Sequence, residues 1–182
     1  ARVTKVTLYK RYEGKAEILA SVLDKSASVL MERIELEART NKPPLDRLRM
    51  SLWILLGGSV AEGSLAVHSI LLSTQKKEAV IQHKLSAWTE RFDERFKLLI
   101  RKVRESGGRE PSENAVEIVN AAMVDLMING PLSRAASSVK TLEEAGTLAK
   151  ALFEARWPIA RELCCNVRLD DGMVPPVAEL RA

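Results

Sequence analysis

The chain has 182 residues and a formal net charge of +4, from 28 Lys and Arg against 24 Asp and Glu. That length suits one domain plus a small appendage, and the low aromatic content (4%) with abundant Leu, Ala, Glu, Lys and Arg favours helix. The adjacent pair Cys164 and Cys165 excludes a disulfide framework and a Cys-based metal spacing; the start is basic with no apolar run behind it, so no signal peptide is read and a cytoplasmic protein is expected.

Thr4 can cap a short helix over Lys5 to about Tyr12, its hydroxyl accepting from a free amide one turn on. That helix carries Lys5, Thr7, Tyr9, Lys10 and Arg11 around one apolar residue, Leu8. Gly14 breaks it, and the next helix begins at Lys15 with Glu17 in its first turn, where the helix dipole favours an acid. Residues 1–15 hold five bases (Arg2, Lys5, Lys10, Arg11, Lys15) against Glu13 alone, a net of +4. The remaining residues carry 23 of each sign, so the whole positive excess lies at this end, as a contact to a polyanion requires. Such a helix suits the major groove: Lys and Arg neutralise phosphates, while Thr and Tyr donate to phosphate oxygens or pack on thymine methyls.

The stretch from Ala1 to Leu19 resembles the end of the helix-turn-helix of the TetR family of bacterial transcriptional regulators, whose pattern reads roughly A-G-V-S-x-x-T-L-Y-x-x-F-x-S-K-x-x-L. Without a gap, Ala1, Val3, Thr4, Thr7, Leu8, Tyr9, Tyr12, Lys15 and Ile18 or Leu19 match it. By this resemblance Thr4, Thr7, Tyr9 and Lys15 touch phosphates of double-stranded operator DNA, and Lys5, Val6 and Lys10 face base edges. Arg2 stands in place of the turn glycine and Gly14 in place of a capping Ser. In the family two further helices precede this point, so these 182 residues by themselves are expected to bind DNA poorly.

From Lys15 to about Thr40, Ile18, Leu19, Val22, Leu23, Val29, Leu30 and Ile34 recur every three or four residues, the mark of a long amphipathic connector. Asn41 to Pro44 ends it, because proline disfavours helix in its predecessor. Asp46 is read as the N-cap of a second helix to about Leu56, which Gly57 and Gly58 interrupt. Ser59 to Glu62 reads as a capping box opening another helix to about Leu72. Met50 to Leu72 is apolar enough to suggest a bilayer span. However, Glu62 at its centre would cost about 2.5–3.5 kcal/mol there, so two core helices and no membrane are expected. Ile81, Leu85, Trp88, Phe92, Phe96, Leu99 and Val103 mark the longest helix, ended by Gly107 and Gly108. Ser112 starts the next, with Val116, Val119, Met123 and Met127 along one side and a close at Asn129 to Pro131. Thr141 to Glu144 is a second capping box, opening a helix to about Trp157 that Pro158 kinks or terminates. Asp170 to Gly172 and Pro175 with Pro176 read as a loose tail.

No strand pattern rises, so the fold class is all-α: a helix-turn-helix remnant with its connector over residues 1–38, then a helical regulatory bundle over 39–182. The element order also resembles the TetR regulatory domain. In that family the last two helices make an isologous dimer interface, which places a homodimer contact on residues 112–128 and 142–163, with Ala121, Ala122, Ala145, Ala149 and Ala151 allowing close approach. Trp53, His68, Trp88, Phe92, Met123 and Met127 are candidates to line an apolar pocket for a small-molecule effector. Catalysis has little support: the histidines are His68, in an apolar run, and His83, with no phosphate loop or H-E-x-x-H motif, and no cofactor or metal is expected. The expected function is a ligand-released repressor; the competing reading is a helical small-molecule carrier or enzyme whose basic N-terminus is incidental.

Overall fold

A computed structural model of the chain describes residues 11–61, 79–138 and 141–166. Among them there is no strand, and the helices are α1 (Lys15–Ala38), α2 (Pro44–Ala61), α3 (Ala79–Ser106), α4 (Glu113–Val124), α5 (Gly130–Ser138) and α6 (Leu142–Asn166). A π turn, Asp125–Asn129, joins α4 to α5 in one continuous rod. The all-α expectation holds.

The helix ends show which local signals act. Gly14 precedes α1, and the Glu17 carboxylate reaches back to the Glu13 amide at 2.5 Å. Pro44 is the first residue of α2, where a missing N–H costs nothing. The Pro43 carbonyl accepts from the Asp46 and Arg47 amides, so Asp46 lies in the first turn and is not the cap. The end of α3 is a Schellman closure: Gly108 takes φ +73°, its amide bonds the Glu105 carbonyl, and the Arg109 amide bonds that of Arg104. Ser112 caps α4 through the Ala115 amide, and Thr141 and Glu144 cap α6 reciprocally.

Three expected breaks are not breaks. Gly57, Gly58 and Ser59 lie inside α2, which continues to Ala61; any helix beyond it to Leu72 lies outside the described residues. A Cβ on Gly58 would overlap Leu30 Cδ2, whereas one on Gly57 would sit 3.6 Å from the Trp53 ring. Gly58 therefore leaves room on α2 for the Leu30 side chain of α1. Gly57→Ala should raise stability by up to about 1 kcal/mol through helix propensity, and Gly58→Val should lower it by about 1–3 kcal/mol through overpacking. Urea unfolding of the two variants checks this opposite pair. Asn129 to Pro131 does not close its helix, because the π turn absorbs the proline. Pro158 sits inside α6, which runs on to Asn166.

At the centre lies α2, in contact with α1, α3, α5, α6 and the π turn. Its residues Leu48, Leu52, Leu56 and Val60, one turn apart, are at most 2% exposed. Around them pack Ile34 of α1, Phe96 and Ile100 of α3, Val116 and Met123 of α4, and Phe153 of α6. Each fully buried side chain of this size contributes about 1.5–3 kcal/mol. The N-terminal half of α1 has a separate small cluster, Ala20 against Ile81, flanked by Leu19, Leu23 and Leu85. Glu113–Ser137 is long and apolar enough to cross a bilayer by length and composition, with half of its window buried; Val116, Val119 and Met127 face the bundle core.

Candidate functional site

Of the residues expected at DNA, Thr4, Lys5, Val6, Thr7, Tyr9 and Lys10 lie outside the described residues; Lys15 is exposed as the first residue of α1. Just before it, the Tyr12 hydroxyl hydrogen-bonds Ser21 Oγ at 3.1 Å, which folds the incoming chain onto α1.

From there α1 is fastened to α3 by polar contacts. Asp24 Oδ1 accepts from the Trp88 indole N–H at 2.9 Å and from Lys84 at 3.4 Å. Arg91 lies 4.3 Å from the Trp88 ring centroid, as a cation on its face. Three turns further along α1, Glu35 pairs with Arg95 at 2.5 Å. The indole N–H holds the Asp24 carboxyl below its ordinary range, with Lys84 and Arg91 acting in the same sense against desolvation. Residues 84, 88, 91 and 95 form one face of α3: Lys84, Trp88 and Arg95 bond the connector, and Arg91 covers the Trp88 ring. Lys97, on the side of α3 toward α4, is bridged by Asp93 at 3.0 Å and Glu117 at 3.4 Å, and the Asp93 carboxylate favours its charged form. The buried Asn120 amide donates to the same Asp93.

Of the six residues expected to line one pocket, the five that are described do not line a common cavity. Met123 and Met127 are 1% and 0% exposed within solid core. Trp88 serves the connector, with the Phe92 ring tilted against it at 6.0 Å. Trp53 faces the other way, toward α6, and His68 lies outside the described residues. The pattern failed here because an aromatic at helical spacing marks an apolar face without saying which neighbour that face meets.

The cavity that Trp53 lines is a groove of about 490 Å³ between α2 and α6. Lys42, Asp46, Arg49 and Met50 line it from one side, and Lys150, Phe153 and Glu154 from the other. Trp53 meets Phe153 edge-on at 5.2 Å, and Phe153 stacks parallel on Trp157 at 6.3 Å. Arg49 bonds Glu154 at 2.6 Å and lies 5.5 Å from the Trp157 ring centroid. Sequence reasoning missed its charged rim, although Asp46, Arg49 and Trp53 already share one face of α2 by spacing. A second, more open groove of about 620 Å³ runs between α1 and α3, with Met31, Glu35, Arg95 and Leu98 among its lining.

Arg156 is a further residue the sequence did not single out. Widening of the helix at Asp125–Asn129 lets the Gly130 amide bond the Asp125 carbonyl, five residues back. The next donor in that register would be residue 131, a proline without an N–H, so the Leu126 carbonyl lacks a helical partner. Arg156 Nη1 of α6 supplies one at 2.8 Å. At the far end of α6, Arg104 and Arg109 donate to the carbonyls of Cys164 and Cys165, cations closing a helix C-terminus. Burial, with the neighbouring Cys165 adding to it, pushes the Cys164 thiol up to about 12. A thiol reagent at pH 8 should therefore leave Cys164 unlabelled in the native protein, since the thiolate is the nucleophile. Mass mapping of native and urea-unfolded samples checks this; native labelling of Cys164 at the unfolded rate would contradict it.

On the expected dimer faces, Ala145 and Ala149 are spent inside the chain's own core, at 0% and 1% exposure. They cannot meet a partner, because that face of α6 packs into the core against α2, α5 and the π turn. Ala121 and Ala151 are exposed and Ala122 is intermediate. Compared with known proteins, the chain matches no family model, no curated protein and no solved structure.

Proposed function

We propose that this chain is part of a DNA-binding transcriptional regulator of TetR-like design, a homodimer whose grip on an operator is released by a small molecule. The observation that carries the reading is the gap-free pattern from Ala1 to Leu19, which coincides with the segment holding all of the chain's excess positive charge. An all-α body entered through one long helix is consistent with it.

The dimer half of the reading draws on the outer side of α6. There Leu148, Leu152, Ala155 and Ile159 recur at steps of four, three and four with Ala151 beside them, none of them buried, and Ile159 is 55% exposed. On α4, Ile118, Ala121 and Ala122 are likewise left unburied. A second copy would cover such a stripe isologously. In this reading the two recognition helices sit about 34–36 Å apart, one turn of DNA, and α1 is the lever between bundle and DNA. Its fastening to α3 through Asp24 and Glu35 would carry a shift of α3 to the DNA end, and a ligand preferring the shifted state would change the populations.

Selection of bound duplexes from a random-sequence pool by the natural protein tests this reading. Enrichment of a palindrome with half-sites one helical turn apart is the expected result; a pool left unenriched after repeated rounds would overturn it.

A further inference from the structure

We propose that the groove between α2 and α6 binds a small planar aromatic carboxylate. Its size, about 490 Å³, suits a molecule of one or two rings. The contacts across it show how the helices are laid: Arg49 meets Glu154 and Trp157, while Trp53, one turn further along α2, meets Phe153. The two helices are therefore antiparallel, and the groove has an apolar middle with two unlike ends.

The middle is Met50, 39% exposed, with Trp53 and Phe153. Phe153, 1% exposed beneath the groove, is fixed between Trp53 and Trp157 and seats the Trp53 ring, so the Trp53 and Met50 surface offered to a flat ring is preorganised, and little ordering cost falls on binding. At one end Lys150 stands on the next turn of α6 past Phe153, with no ion pair among the described residues. At the other end are Asp46 and Lys42, the latter bound to Glu37 at 2.8 Å. Asp46 and Trp53 are seven residues apart, about 10 Å along a helix. A carboxylate seated at Lys150, with its ring on Trp53, is thus removed from the Asp46 charge.

Donor groups favour an anion at the Lys150 end of the groove. The lining has three cations, Lys42, Arg49 and Lys150, against two carboxylates, Asp46 and Glu154. Glu154 is already engaged by Arg49, whereas Arg49 keeps N–H groups to spare after that one bond and Lys150 has three. With Lys42 on Glu37 and Arg49 on Glu154, the charges left at the rim are Lys150 at one end and Asp46 at the other, so it is the Lys150 end that a ligand carboxylate accepts from.

Isothermal titration of the chain with 2-naphthoate, 2-naphthylmethanol and 2-naphthylmethylammonium tests the proposal without reference to DNA. Naphthoate should bind at least ten-fold more tightly than the alcohol, and the ammonium no better than the alcohol. Lys150→Glu, an exposed change outside the core, should remove the advantage of naphthoate and leave the alcohol as it was. Met50→Arg, which fills the apolar middle from an exposed position, should weaken both. Equal affinities for the three probes, no binding of naphthoate at millimolar concentration, or naphthoate binding indifferent to both substitutions would each overturn it. Because no DNA is present, failure here is separate from failure of the regulator reading.

Discussion

Phe153→Ala should destabilise the fold by about 3–5 kcal/mol, the range for removing a buried aromatic ring. Phe153 is 1% exposed and belongs to the same core cluster as Leu52, Leu56 and Met127. Its ring meets Trp53 edge-on and Trp157 face-to-face, and such aromatic pairs contribute about 0.5–1.5 kcal/mol beyond area alone. Truncation would leave a cavity where α6 crosses the first half of α2, and neither flanking indole could close it without losing its own seat. Stability is a small difference between large terms, about 5–15 kcal/mol for a domain, so this one change could remove most of it. Chemical denaturation followed by tryptophan fluorescence gives the number; a loss below about 1 kcal/mol would show that the α2–α6 contact is not the centre of the core.

A smaller but more diagnostic loss is expected at the π turn. Arg156→Met keeps much of the length of the side chain and removes its donors, which leaves the Leu126 carbonyl without its bond from α6. Leaving a buried polar group unpaired costs about 1–3 kcal/mol. Gly130→Ala should cost a comparable amount by a different route: its Cβ would overlap the Arg156 guanidinium and come within 3.2 Å of the Asp125 carbonyl. If both changes act by expelling the same guanidinium, the double variant should lose little more than either single one. Full additivity in that cycle would show that they act through independent contacts.

These two sites also mark what the sequence could and could not disclose. Helices were legible because Ile81, Leu85, Phe92, Phe96 and Val103 repeat at three and four, and because Ser112, Thr141 with Glu144, and Gly108 act locally at helix ends. The glycines and prolines inside helices misled. Gly58 serves a close approach by Leu30, a residue twenty-eight positions away, and Pro131 is tolerated because Arg156 of another helix replaces its missing bond. Neither compensation is local, so neither can be read from the neighbouring residues. The same holds for the expected pocket: Trp53, Trp88 and Met123 each lie on an apolar face, but those faces meet α6, α1 and the central core respectively. Trp88 in particular reads as a core residue by spacing, yet its indole donates to Asp24, sixty-four positions earlier.

The proposed role in reading DNA is tested most directly by the binding of the natural protein to duplexes from its own promoter across a salt series, with Tyr9→Ala and Lys15→Ala as comparisons. The account predicts sequence-selective binding whose affinity falls steeply with salt, because each neutralised phosphate releases counterions. Loss of Lys15 should lower the salt slope by about one unit and weaken all sequences alike, as a phosphate contact does. Weak binding that is equal on all duplexes and unchanged by either substitution would contradict the account and reduce the segment before α1 to a basic tail.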